Sequence, residues 1–152
     1  MKGKLSQRSV GLKYGFRSGL EEKVMEQLDR LGTAYRYEDV VIPFTQPVKP
    51  RKYTPDFLLP NGIIVETKGR FETSDRQKHL LVKEQHPELD IRFVFSRSST
   101  RISKQSRTTY ADWCKVKGFL HADGLIPLAW IMEAHSIRRW DAAEKFLKGG
   151  EQ

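Results

Sequence analysis

Two apolar, β-forming runs, residues 53–59 and 63–67, stand on either side of Pro60-Asn61-Gly62, and no other feature constrains the chain as much. Aromatic and β-branched residues suit a pleated, covered surface, and a Pro-Asn-Gly break between two such runs predicts a hairpin. Loop length then decides where the charged residues go. A three-residue loop pairs Leu59 with Ile63 and sets Asp56 opposite Glu66, with Gly62 at the closing position, where φ is positive. A two-residue Asn61-Gly62 turn sets Asp56 opposite Thr67 instead. Side chains alternate along a strand, so Glu66 and Lys68 share one face. Only the three-residue loop places Asp56 on that face with them.

The rest of the chain supplies the frame. Leu20, Val24, Leu28 and Leu31 recur at helical spacing and predict an amphipathic helix over 18–31, stopped by Gly32. Residues 35–42 read as a strand. Pro43, Pro47, Pro50 and Pro55 fall within thirteen positions, a density that prevents helix and favours an extended spacer over 43–52. A helix is expected over 74–85, capped by Ser74 or Asp75, with Pro87 beyond it. Then follow a strand over 91–95, a helix over 109–117 ending at Gly118, a short element within 126–131 and a last helix over 140–148. The order α, β, β, β, α, β, α predicts an α/β domain built on one small mixed central sheet flanked by helices. Residues 1–16 lack periodicity and are expected as a flexible basic arm, leaving 17–152 as a single domain.

Charge points to a polyanionic partner. Lys and Arg number 27 against 19 Asp and Glu, a net charge of +8, and the excess is clustered. Residues 1–20 contain no acid, and Arg97, Arg101, Lys104 and Arg107 lie among serines and threonines with none between them. Lys49, Arg51 and Lys52 form a third group. Basic residues mixed with hydroxyls suit contacts to phosphates, although a solvated basic surface has the same composition. With Arg17 and Arg70 these are the expected DNA-binding residues. The single cysteine, Cys114, permits no internal disulfide and fits a reducing compartment. No apolar run suits a membrane span and no secretory leader is recognisable, so a cytoplasmic protein is expected. The four histidines lack zinc spacing and are expected at the surface or core edge. No Gly-rich phosphate loop or nucleophile elbow is present, which argues against a nucleotide cofactor and a serine hydrolase.

Two carboxylates and an ammonium on one sheet face suit phosphodiester hydrolysis. Hard oxygen ligands recruit Mg²⁺, with Mn²⁺ as a substitute, and the lysine stabilises developing negative charge. The competing interpretation is a cross-strand ion cluster on a solvated face, worth little energy. The apolar neighbours Phe57, Leu58, Leu59, Ile63, Ile64 and Val65 argue against it, because strands covered on both sides make uncompensated carboxylates costly. Glu21 stands three residues after Ser18, the spacing of a capping box at the first helix.

Asp56 and Glu66-Thr67-Lys68 resemble the PD-(D/E)xK nuclease signature. The wider strings resemble phage endonuclease I, a family of Holliday-junction resolvases. They are Phe16-Arg17-Ser18-Gly19-Leu20-Glu21, Tyr53-Thr54-Pro55-Asp56-Phe57-Leu58-Leu59-Pro60-Asn61-Gly62, Lys78-His79-Leu80-Leu81, Glu84-Gln85-His86-Pro87-Glu88-Leu89-Asp90-Ile91-Arg92, and Ile126-Pro127 followed by Trp130-Ile131. The resemblance spans residues 16–131. It implies a restriction-endonuclease-like nuclease domain and an intertwined homodimer that cuts branched DNA with Mg²⁺. It also implies that Glu21 joins Asp56, Glu66 and Lys68 in catalysis, with Asp56, Glu66, Thr67 and Glu21 around the metal. Residues 43–52 would then bridge the exchanged segments.

Overall fold

A computed structural model of the chain describes residues 19–46 and 49–149. The elements run α1 (Gly19–Arg30), β1 (Arg36–Tyr37), β2 (Ile42–Gln46), β3 (Lys49–Tyr53), β4 (Phe57–Leu58), β5 (Ile64–Lys68), α2 (Thr73–Gln85), β6 (Ile91–Phe95), α3 (Tyr110–Lys117), β7 (His121–Asp123), α4 (Leu128–Ile131) and α5 (Ile137–Glu144). Five strands form a mixed sheet in the order β1-β4-β5-β6-β7, antiparallel from β1 to β5 and parallel from β5 to β7. Helices α2 and α3 lie in the two parallel connections, as a strand returning in the same direction requires. The mixed α/β architecture agrees with the sequence reading.

The central hairpin has the predicted register. Phe57 pairs with Val65 and Leu58 with Ile64, the Leu59 N–H donates to the Ile63 carbonyl at 2.9 Å, and the Gly62 N–H donates to the Leu59 carbonyl at 3.0 Å. Gly62 takes φ +91°, and a Cβ there would lie 2.7 Å from the Trp140 backbone nitrogen. Glycine therefore closes the turn and also lets α5 approach it.

The sheet is covered on both faces. On one, Leu20, Val24, Met25 and Leu28 of α1 pack on Phe57, Val65 and Val94, with Ile126 and Trp130. On the other, Val82 of α2 and Ala143 of α5 join Leu58, Ile64 and Ile91, while Phe93 and Phe95 meet Phe71, Trp113 and Phe119. Each large apolar side chain buried this way contributes about 1.5–3 kcal/mol. Leu31, expected in the buried stripe, is 48% exposed, and Met25 takes its place.

Several boundaries differ from expectation. The strand expected over 35–42 is broken after Tyr37, where Glu38 adopts φ +47°, and Thr54-Pro55-Asp56 interrupts the one expected over 53–59. The proline-rich segment, expected as an extended spacer over 43–52, pairs as a separate β2–β3 hairpin from Ile42↔Tyr53 to Gln46↔Lys49. Helix α2 begins at Thr73 with Glu72 as its cap. The last helix starts earlier than predicted because Ser136 Oγ accepts the Arg139 N–H. It ends earlier because the following backbone pairs elsewhere: the Val41 N–H donates to Phe146, and Val40 bridges Leu147. The short strand β7 was not expected.

Candidate active site

Strand pairing lines up three acids. The register of β4 on β5 sets Asp56 opposite Glu66. The register of β1 on β4 sets Glu38 opposite Asp56, and the Glu38 N–H donates to the Asp56 carbonyl at 3.0 Å. Helix α1 adds Glu21 from above. Carboxylate oxygens of Glu21, Glu38 and Asp56 lie within 4.8 Å of one another. The Tyr37 hydroxyl donates to Glu21 Oε2 at 2.5 Å and stands 3.3 Å from Glu38 Oε1. Asp56 Oδ2 accepts from both the N–H and the hydroxyl of Thr67, at 2.8 and 2.7 Å. Glu21 and Asp56 border a cavity of about 350 Å³ lined also by Glu66, Lys68, Lys52, Tyr53 and Lys78.

Glu66 is oriented differently. Its Oε2 accepts the Tyr53 hydroxyl at 2.7 Å, and its Oε1 faces the Lys68 ammonium at 3.6 Å. Lys68 Nζ also donates to Asp75 Oδ1 at 3.2 Å. Behind Tyr53, the ring of His79 packs edge-on at 4.9 Å. His79 is fully buried rather than at the surface or core edge as expected, because its ring fills an aromatic pocket with Phe71, Phe93 and Phe119. Burial holds its pKa well below the ordinary histidine value, so it is neutral.

The electrostatics follow from burial. Desolvation, reinforced by Asp56, pushes the Glu66 carboxyl up to about 8. Desolvation also raises Asp56, against the lowering effect of the Thr67 hydrogen bonds and Lys68. For Lys68 the cost of burial is outweighed by Glu66 and Asp75, and its pKa is raised. Buried acids gathered this closely are a costly arrangement that a divalent ion relieves. The donors nearest one another are all carboxylate oxygens, the chemistry of Mg²⁺ or Mn²⁺ rather than of a soft metal. The cluster can hold a metal ion.

A profile of the family described as phage endonuclease I matches residues 1–148. The chain is 50% identical over 145 residues to endonuclease I of Escherichia phage T7, covering 95% of this chain and 94% of that one. It is 55% identical over 118 residues to endodeoxyribonuclease 1 of Enterobacteria phage T3, covering 78% of each. The chain belongs to the phage endonuclease I family. The match runs beyond the 16–131 stretch on which the resemblance was recognised, into both ends. The hydrolase and endonuclease readings of the sequence agree with it.

Around this candidate site the basic residues fall into places of different kinds. Lys52 lines the acidic cavity itself. Arg70, Arg101 and Lys104 line a second cavity with Thr100 and Ser103, and Gly69 borders both cavities. Arg51 lines a third, which shares Lys52 and Lys78 with the acidic one. Lys49 lies exposed on β3, and Arg97 bonds Ser99 Oγ on an exposed loop. Arg107 is exposed and lines none of these cavities. Arg17 and the proposed Ser18 cap lie outside the described residues. Sequence reasoning missed Glu38, Tyr37, Tyr53, Asp75 and Lys78. Glu38 carried a usable signal only in retrospect, since it requires knowing that β1 pairs with β4.

Proposed function

We propose that this endonuclease is a structure-selective endodeoxyribonuclease that resolves four-way and other branched DNA junctions. In this reading Asp56, Glu66 and Glu21 hold Mg²⁺ with Thr67 as a neutral oxygen donor, and Mn²⁺ substitutes. One observation carries it: the cavity of a buried acidic cluster with Lys68 in its lining shares lining residues with two further cavities, one lined by Arg70, Arg101 and Lys104 and the other by Arg51. Phosphates approaching a cluster of acids need both a cation in the centre and basic flanks. No helix among the described residues is long and apolar enough to cross a membrane. The reading places the protein in the host cytoplasm, where Cys114 stays reduced. Buried, with its thiol pushed up to about 12, that cysteine is inert.

When bound, Mg²⁺ supplies positive charge against the phosphate and acidifies water. The chain's own residues do the rest. Asp56 is fixed by Thr67 and Glu66 by Tyr53, so neither carboxylate has to reorganise during the reaction. The Lys68 ammonium orients the attacking water and stabilises the phosphate oxygens. The water oxygen bonds to phosphorus, one P–O bond breaks, and the proton that the water gives up goes to the departing oxygen. Lys52 and the Arg70–Arg101–Lys104 cavity grip backbone phosphates beside the cut. The protein is proposed to act as an intertwined homodimer, so that two such sites cut two strands.

Cleavage of a four-way junction and of its separate linear arms, with and without divalent metal, tests this reading. Junction cutting that needs metal and exceeds arm cutting is expected. Equal cutting of the arms would assign another DNA substrate to the same core, and tight binding without cleavage would leave a binding module. Asp56→Ala, Glu66→Lys and Lys68→Ala are each expected to abolish cleavage and keep junction affinity, because dispersed basic residues carry binding. A parallel loss of binding and cleavage would refute that division.

A further inference from the structure

We propose that Asp75 is the positioning residue for Lys68, holding the ammonium back from Glu66 so that Glu66 stays open to a cation. This rests on the reading of Lys68 and Glu66 as active-site residues. Lys68 Nζ stands between two carboxylates, 3.2 Å from Asp75 Oδ1 and 3.6 Å from Glu66 Oε1. The other oxygen of Glu66 is occupied by the Tyr53 hydroxyl at 2.7 Å, so Oε1, which faces the lysine, is the one left for a cation. Asp75 can hold its ground because its own second oxygen is anchored. Oδ2 accepts the Glu72 N–H at 3.1 Å, at the start of α2. A helix terminus leaves backbone N–H groups unpaired, and a side chain at the third position satisfies one of them.

The two oxygens of Asp75 therefore have separate tasks. One completes the cap and fixes the carboxylate to a rigid element; the other pulls the lysine toward the helix. Without that charge, Lys68 has one acid partner left within bonding range besides the distant Asp56, and it closes on Glu66. An ammonium paired tightly with Glu66 Oε1 competes with a divalent cation for the same oxygen. Lys78 Nζ, 3.9 Å from Asp75 Oδ1, shares this anchor and adds positive charge to the same margin. The alternative is that Asp75 is a helix cap and nothing more.

Asp75→Asn separates the two. Its side-chain oxygen still accepts the Glu72 N–H, but the charge facing Lys68 is gone. The variant is expected to melt as the wild type does and to bind junctions without metal equally well. Calorimetric Mn²⁺ binding to the DNA-free protein and single-turnover cleavage are expected to fall about 10–100-fold, the usual cost of losing a group that orients a ligand. In a Lys68→Ala background the same substitution should leave Mn²⁺ binding unchanged, because the lysine through which it acts is missing. Wild-type Mn²⁺ binding and cleavage in Asp75→Asn would overturn the inference. So would a loss matched by a fall in melting temperature, or an equal loss of Mn²⁺ binding when Lys68 is absent. The Lys68→Ala chain keeps this apart from the parent reading: if it cleaves normally, the site assignment fails, and if it is inactive while Asp75→Asn is normal, only the role of Asp75 fails.

Discussion

Burial of Glu66 sets both a cost and a pH dependence. Its carboxyl titrates near 8 in the folded chain, raised chiefly by desolvation and then by Asp56, against about 4.3 for an unperturbed glutamate. Between those values the folded state holds a proton that the unfolded state has lost, so stability falls as pH rises through this window. The metal-free protein is expected to show a melting temperature that declines across it. Glu66→Gln should flatten that decline and raise the melting temperature most at the alkaline end, and added Mg²⁺ should help wild type most there too. A melting temperature that is level or rises with pH in metal-free wild type would sink this account. Glu66 and Lys68 could be read from the sequence because strand alternation fixes their common face, and the turn sets Asp56 opposite Glu66, although its carboxylate is held by Thr67. Glu38 could not, since it reaches Asp56 only through the pairing of two strands far apart in the chain.

Among the elements, the β4–β5 turn bears most on the site, because its length sets which residue faces Glu66. Gly62→Ala meets two obstacles at once: φ +91° and a Cβ 2.7 Å from the Trp140 backbone nitrogen. The expected loss is about 2–5 kcal/mol, read as a lower midpoint in urea unfolding. A neutral substitution would mean that the turn and α5 adjust freely, and the register argument would lose its anchor. The 97–107 loop gives the second test. Arg101 and Lys104 line one cavity with hydroxyls and no base-reading pair. Replacing both with Ala should weaken every junction alike and reduce the slope of log K against log salt by about 0.9 for each phosphate no longer neutralised. Weakening confined to certain junction sequences would make the loop a reader of bases instead.

For the whole molecule, the proposed exchange turns on which chain supplies Glu21. Within one chain α1 brings it beside Asp56, and in an exchanged dimer the same surfaces would meet between chains. The hairpin β2–β3 stands apart from the main sheet, and its exposed half carries Pro50 opposite Thr45. Opened out, residues 43–52 would span roughly 30 Å. A stiff extended hinge favours exchange between identical chains. A Glu21→Ala chain co-refolded with an Asp56→Ala chain tests this. In an exchanged dimer both lesions fall in one site and leave the other intact, so the heterodimer should nick one strand. If each site belongs to one chain, both are damaged and the heterodimer is inert while still binding junctions. An Asp56→Ala with Lys68→Ala pair should be inactive either way, because those residues share a segment.

The sequence by itself determined the mixed α/β class, the odd-length turn, the strand face that Glu66 and Lys68 share, and the family. Each of these is a local matter of period, turn chemistry or contiguous strings. The tertiary structure decided what depends on elements meeting. It broke the 35–42 strand at Glu38, folded the proline-rich run onto itself and buried His79 behind Tyr53. It also ended α5 where residues 146–148 pair with 39–41, and set Asp75 against Lys68. Such contacts join residues whose separation along the chain carries no periodic signal, and they are fixed only when the sheet order and the helix layers are assembled together.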